Sequence, residues 1–208
     1  MTDNANRPVY SAELWNSRYS EQGYAFGDQP NDFLAANWQS IPQGNTLFLA
    51  EGEGRNGVFM ARQGYSVTGV DGAEAGLLKA QELASSYDVS IETVVADLAD
   101  YVIEQECYTG IVSIFAHLPV ELRRRVHAAV VAGLKPGGVF LLEAYTPDQA
   151  ESGTGGPSNR DLLMKLEDLK GELAGLEFEI GQEITRDVIE GRYHTGSAHV
   201  VQVLARKP

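Results

Sequence analysis

The stretch "TLFLAEGEGRNGV" at 46–58 joins an apolar run to Gly52-x-Gly54-x-x-Gly57. Glycines at this spacing turn a strand tightly into a helix and let the backbone approach a bound molecule closely. The spacing commits this part of the chain to a strand–loop–helix unit of a parallel sheet. It also raises a problem of charge. Such loops hold pyrophosphate against a helix N-terminus, yet Glu51 and Glu53 sit among these glycines.

Apolar runs recur downstream at "SVTGVD" (66–71), "IETVVADL" (91–98), "GIVSIFA" (110–116) and "GVFLLEAY" (138–145). Helix-length stretches separate them, such as "AEAGLLKAQELASSY" and "VELRRRVHAAVVAGL". This alternation predicts a parallel sheet with helices on both faces. "KPGG" at 135–138 is expected to end a helix and turn tightly into the next strand. Beyond Tyr145, the Gly-, Ser- and Pro-rich "TPDQAESGTGGPSN" (146–159) reads as a lid loop. Leu162, Leu166, Leu169 and Leu173 then mark a helix by their spacing. The runs 176–189 and 193–207, separated only by "EGR", predict a terminal β-hairpin. The first 45 residues read as two helices, near 10–22 and 30–39, joined by "GYAFGDQPN". One domain over 1–208 is expected: a covering segment to residue 45, a core over 46–145, and a lid, helix and hairpin over 146–208.

Composition narrows the ligand. The chain carries 29 acidic against 16 basic residues, a formal charge of −13, so it disfavours a phosphate backbone and a nucleic-acid partner. A single cysteine, Cys107, excludes an internal disulfide and a cysteine metal cluster, and no metal is expected. The N-terminus lacks a signal-peptide core and no run reaches membrane-spanning length, so a cytoplasmic protein with no membrane partner is expected. Within the loop, Glu53 opposes pyrophosphate by on the order of a few kcal/mol, partly offset by Arg55. S-adenosylmethionine has no phosphate, carries a sulfonium cation, and bears an amino group that favours an acidic partner. Asp71 ends the second strand about 20 residues past the loop, where an acid takes ribose hydroxyls. Asp97 ends the third strand, either as a ligand for an adenine amino group or as a helix cap.

The motifs "LAEGEGRNG", "GVDGAEAG", "ADLAD" and "LKPGGVFLLE", with the terminal hairpin, resemble the class I S-adenosylmethionine-dependent methyltransferases. "ELWNSRYSEQGYAFGDQPNDFL" (13–34) and "EGRNGVFMARQGYSVTGVD" are similar to the tellurite-resistance and thiopurine methyltransferase group. The resemblance implies a Rossmann-like, mostly parallel seven-stranded sheet of order 3-2-1-4-5-7-6. It implies that Glu51 marks the methionine end of the cofactor and that the N-terminal segment closes over it. It extends the cofactor set along the motifs to Gly52, Glu53, Gly54, Asn56, Asp71, Gly72, Ala73, Asp97, Leu98 and Phe115. It also favours Trp15 and Tyr24 as covering aromatics, whose rings offer cation–π contact to a sulfonium.

Methyl transfer needs an aligned nucleophile, so cationic or proton-accepting residues at the carboxyl edge of the sheet are the acceptor candidates. The hairpin tip gathers Arg186, Arg192, Tyr193 and His194. Arg186 shares an alternating face with Phe178, Ile180, Ile184 and Val188. It is either an anion anchor or the partner of a nearby acid such as Glu183 or Asp187. His117 follows the fourth strand, as an acceptor-side group or as a neighbour of the helix opened by Pro119. His127 is expected at the surface and His199 as a satisfied strand histidine. The catalytic candidates are therefore His194, Arg186 and His117. The expected activity is methyl transfer from S-adenosylmethionine to a small polarisable acceptor, a thiol or a chalcogen oxyanion such as tellurite or selenite. A small-metabolite N- or O-methyltransferase, a nicotinamide-dependent reductase and a non-catalytic S-adenosylmethionine-binding protein are the rivals.

Overall fold

The computed structural model describes residues 11–208, so the expected helix start at residue 10 lies outside the described residues. Seven strands form one sheet in the order β3-β2-β1-β4-β5-β7-β6. They are β1 (Asn45–Leu49), β2 (Ser66–Asp71), β3 (Glu92–Val95), β4 (Tyr108–Ile114), β5 (Leu134–Tyr145), β6 (Glu177–Glu190) and β7 (His194–Arg206). β1 to β5 pair in parallel, whereas β7 is antiparallel to both β5 and β6. β6 therefore runs with the parallel strands, and the hairpin tip lies at their carboxyl edge. The helices are α1 (Ala12–Tyr19), α2 (Asp32–Asn37), α3 (Arg55–Arg62), α4 (Glu74–Ser86), α5 (Val120–Gly133) and α6 (Leu166–Glu172). The order and the antiparallel end agree with the expected class I arrangement.

The two-residue period of β1 divides the core. Leu47 and Leu49 face a cluster with Ile111, Phe140 and Val130, while Phe48 faces Val67, Met60 and Leu34 on the other side. Each such side chain, fully buried, contributes about 1.5–3 kcal/mol of transfer free energy. With both faces covered, the sheet leaves its carboxyl edge as the place for a cleft.

Two local expectations are corrected. "KPGG" does not separate helix from strand: α5 ends at Gly133 and β5 begins at Leu134. Its pairing with β4 jumps from Tyr108↔Leu134 to Gly110↔Val139, so the four residues form a bulge within the strand entry. Gly137 supplies the left-handed conformation, φ +78°, that this bulge requires. Nor do Leu162 and Leu166 share a helix. Leu162 closes a 3-10 turn (Arg160–Leu162), and α6 starts at Leu166. Between them the Met164 N–H donates to the Tyr145 carbonyl at 2.9 Å, tying this stretch to β5 instead of to a helical ladder.

Candidate active site

The glycine loop shows what its acids do. Gly52 and Gly54 are left-handed, φ +60° and +89°. A Cβ on Gly54 would lie 2.5 Å from the Ala80 Cβ, so glycine there lets α3 and α4 approach. Glu51 turns back beneath the loop, and its Oε1 accepts from the Gly57 N–H at 2.6 Å. That N–H belongs to the first turn of α3, the turn that would face a phosphate. Burial pushes the Glu51 carboxyl up to about 8, against the opposing pull of the Gly57 N–H and Arg55. Glu53 accepts from the Ala25 N–H at 2.7 Å and pairs with Lys79 at 2.9 Å. Both glutamates line the cleft and are also bonded within the fold: Glu51 holds the first turn of α3 and Glu53 anchors the N-terminal segment. One N–H of the helix terminus is thus taken by the chain's own carboxyl group.

At the end of β2, Asp71 accepts from the Gly52 N–H at 2.9 Å and the Ala73 N–H at 2.8 Å. Burial nevertheless raises its pKa, the two N–H groups opposing. Asp97 is exposed and accepts from the Ala99 N–H at 2.8 Å, so it does make the local turn bond of a cap. Ala50 and Phe115, at the ends of β1 and β4, take φ of +53° and +54°. Left-handed backbone at non-glycine residues costs of order 1 kcal/mol or more and here accompanies the opening of the strand ends.

These strand ends border one cavity of about 500 Å³. Of the residues expected to hold a cofactor, all but Gly54 and Tyr24 line it. Gly54 instead packs on α4. Tyr24 lies against Val58, Leu83 and Ala84, with Lys79 5.9 Å from its ring. The aromatic wall comes from Trp15, Tyr19 and Phe26: Trp15 stacks on Tyr19 at 5.6 Å, and Phe26 lies 6.1 Å from Trp15. Tyr19 is the i+4 neighbour of Trp15, a helical signal that could have found it.

The hairpin tip splits into two groups. Tyr193 and His194 line the cavity, whereas Arg186 and Arg192 do not. His194 is enclosed by Phe26, Phe115 and Tyr145, at 4.5, 4.8 and 5.4 Å between ring centres. Burial lowers its pKa, Glu190 opposes, and the Arg55 and Arg18 charges lower it further. Its Nδ1 is 3.8 Å from Glu190 Oε2, beyond hydrogen-bond distance, and has no hydrogen-bond partner. Burial thus favours the neutral imidazole over the charged one.

Arg186 is corrected as an anion anchor. It donates to Glu143 through two nitrogens, to Glu190 at 3.2 Å and to Asp32 at 3.1 Å. Arg55 pairs with the other Glu190 oxygen at 2.6 Å. Asn31 donates at 2.9 Å to both Glu143 and Glu190, and Gln202 donates to Glu143 at 2.5 Å. The carboxylate partners of Arg186 are thus Glu143, Glu190 and Asp32, not the side chains of Glu183 or Asp187. The network ties β5, β6, β7, α3 and the N-terminal segment together behind the cavity.

His117 lines the cavity but is bonded within the fold. Its Nδ1 is 3.0 Å from the Leu162 carbonyl, and its Nε2 accepts from the Tyr145 N–H at 3.4 Å. Burial lowers its pKa to about 4. With both nitrogens engaged, it is poorly placed as a base. His127 is buried, not at the surface: its Nδ1 lies 2.7 Å from Glu172, which Arg123 also holds at 2.7 Å. α5 packs this face against α6, away from the cavity. His199 is bonded to Thr185 at 3.0 Å, as expected of a strand histidine.

Residues 47–138 match a family model described as a methyltransferase domain. No curated protein sequence matches the chain. Among solved structures, TehB from Haemophilus influenzae is 22% identical with a TM-score of 0.70, covering 95% of this chain and 67% of that one. The structure described as "Conversion of a Disulfide Bond into a Thioacetal Group during Echinomycin Biosynthesis" is 17% identical with a TM-score of 0.75, covering 94% and 92%. Geranyl diphosphate C-methyltransferase from Streptomyces coelicolor A3(2), in complex with Mg2+, geranyl diphosphate and S-adenosyl-L-homocysteine, is 15% identical with a TM-score of 0.68, covering 95% and 96%. At these identities the likeness is one of fold. Residues 47–138 thus resemble a methyltransferase domain, and the chain as a whole shares the fold of these structures.

Proposed function

We propose that this protein transfers a methyl group from S-adenosylmethionine to a small polarisable acceptor, a thiol or a chalcogen oxyanion such as tellurite or selenite. The observation that carries the cofactor reading is the Glu51 bond to the first turn of α3. It withdraws the helix N–H that a pyrophosphate needs and leaves a cavity bordered by acids at three successive strand ends. In this reading Asp71 takes ribose hydroxyls, Asp97 and Leu98 border the adenine, and Gly52 admits the chain of the cofactor. Trp15, Tyr19 and Phe26 cover it. When bound, the cofactor supplies an electrophilic methyl carbon on a positively charged sulfur.

The acceptor side follows from volume and polarity. A cavity of about 500 Å³ is within the range of a single small-ligand pocket, so a cofactor leaves room for a small acceptor only. His194, neutral and surrounded by rings, takes the proton of a thiol and leaves the thiolate in an apolar setting. An acceptor that is already anionic has no need of that step. The resemblance of residues 13–34 to the tellurite-resistance group supports a chalcogen acceptor, and the structure connected with disulfide-to-thioacetal conversion supports a sulfur one.

The test is an assay for S-adenosylhomocysteine and methylated product across thiols, selenite, tellurite and amines. Turnover with a thiol or a chalcogen oxyanion is expected. Turnover with amines alone would overturn the acceptor class, and binding with no turnover on any of them would favour a sensor.

A further inference from the structure

Most charges around the cavity are already matched. Arg55 is paired with Glu190, Lys79 with Glu53, Arg186 with Glu143 and Glu190, and Arg192 with Glu21 at 3.2 Å. Arg18 is the exception. It lies on α1 and lines the cavity, yet it pairs with no carboxylate among the described residues. Its guanidinium carbon instead sits 4.8 Å from the Trp15 ring centre and 4.5 Å from that of Tyr193.

This packing suits a ligand. Rings on the faces of a guanidinium fix its plane but leave its edge N–H groups free to donate, two at a time, to a planar anion. The clamp also joins α1 to the hairpin tip, so Arg18 stands between the aromatic wall and His194. In a protein with a formal charge of −13, an unpaired cation inside a cleft is conspicuous. It is the one cationic group among the described lining residues with no acid against it.

We propose that Arg18 is the carboxylate-binding residue of this cavity. The inference rests on the cofactor reading above, which brings a carboxylate to the site: the α-carboxylate of the amino-acid end of S-adenosylmethionine. A carboxylate on the acceptor has the same chemistry, and the two sources separate experimentally. Glu51 and Asp71 line the same cavity, so Arg18 is its cationic counterpart.

The experiment uses calorimetry on the full chain with S-adenosylhomocysteine and with its decarboxylated counterpart, for the wild type, Arg18→Gln and Arg18→Lys. A charge-assisted, two-point contact predicts that Arg18→Gln binds S-adenosylhomocysteine on the order of 10- to 100-fold more weakly. The decarboxylated compound should bind both proteins alike, and Arg18→Lys should recover part of the loss. The second arm compares thioglycolate with 2-mercaptoethanol as acceptors. If S-adenosylhomocysteine binding is unchanged but KM for thioglycolate alone rises in Arg18→Gln, the carboxylate belongs to the acceptor. Far-ultraviolet circular dichroism checks the fold, which the substitution should spare because it breaks no ion pair. If neither the ligand pair nor the acceptor pair distinguishes Arg18→Gln from the wild type, the proposal is overturned. If the wild type itself fails to bind S-adenosylhomocysteine, the cofactor reading falls and this inference falls with it.

Discussion

The two sides of the cleft solve the placing of polar groups differently. On the side of β1, β2 and β3, carboxyl groups hold backbone: Glu51 takes the Gly57 N–H and Asp71 takes those of Gly52 and Ala73. On the side of β5, β6 and β7, side chains hold one another, through Arg55, Arg186, Glu143 and Glu190. The first arrangement is local in sequence and shapes a loop. The second joins residues up to 159 positions apart and fixes how the hairpin meets the N-terminal segment. The difference separates groups that shape the cofactor loop from groups that position His194, and each can be perturbed alone.

The largest expected effect is on turnover. His194→Ala should lower the rate with a thiol acceptor by roughly 10²–10⁴-fold at neutral pH, with recovery at higher pH as the free thiol ionises. S-adenosylhomocysteine affinity and stability should change little. Equal rates for wild type and variant across pH would remove His194 from the chemistry.

Arg186→Ala should act on the fold instead. It strands Glu143, which is 0% exposed, and one oxygen of Glu190. Breaking a buried pair on one side costs about 3–5 kcal/mol, readable as a lower midpoint in urea. A variant of wild-type stability with only a weakened acceptor KM would restore the anchor reading of Arg186.

The smallest effect is on pH dependence, where Glu51 and His117 have opposite sign. Glu51 has its pKa raised from 4.5 to about 8. Above 4.5 the unfolded chain ionises this group while the folded one keeps its proton, so its contribution to stability is lost as pH rises towards 8. His117 has its pKa lowered from 6.5 to about 4. Below 6.5 the unfolded chain gains a proton that the fold resists, so this contribution is lost as pH falls from 6.5 to about 4. Glu51→Gln should therefore flatten the alkaline slope of stability and His117→Asn the acid slope. Chemical denaturation at half-unit pH steps measures both, and unchanged slopes would contradict the burial assigned to these groups.

The same contrast explains what could be read in the chain. The loop glycines, Asp71 and the strand alternation rest on short spacings, and they appear where the pattern put them. The network depends on register between distant strands, which spacing does not encode. A hint existed, since Glu143 interrupts the apolar run "GVFLLEAY" and Arg186 interrupts the apolar face of β6, and buried opposite charges seek each other. The β6–β7 register shift between Phe178 and Ile180 leaves that pairing beyond sequence arithmetic. Arg18 had a weaker signal, its i+3 spacing from Trp15 on one face of α1. Tyr24 was misplaced because it packs on Val58, Leu83 and Ala84, while Phe26, two residues on, joins the wall instead.

The central claim is that the α3 terminus is closed to phosphate and that the cleft takes a sulfonium cofactor. Thermal unfolding with S-adenosylhomocysteine, NAD and NADP tests it most directly. At 100 times its dissociation constant, S-adenosylhomocysteine should add about 2.7 kcal/mol of stability, a rise in Tm of several degrees for a chain of this length. NAD and NADP at equal concentration should leave Tm unchanged. A shift with NAD or NADP and none with S-adenosylhomocysteine would contradict the account.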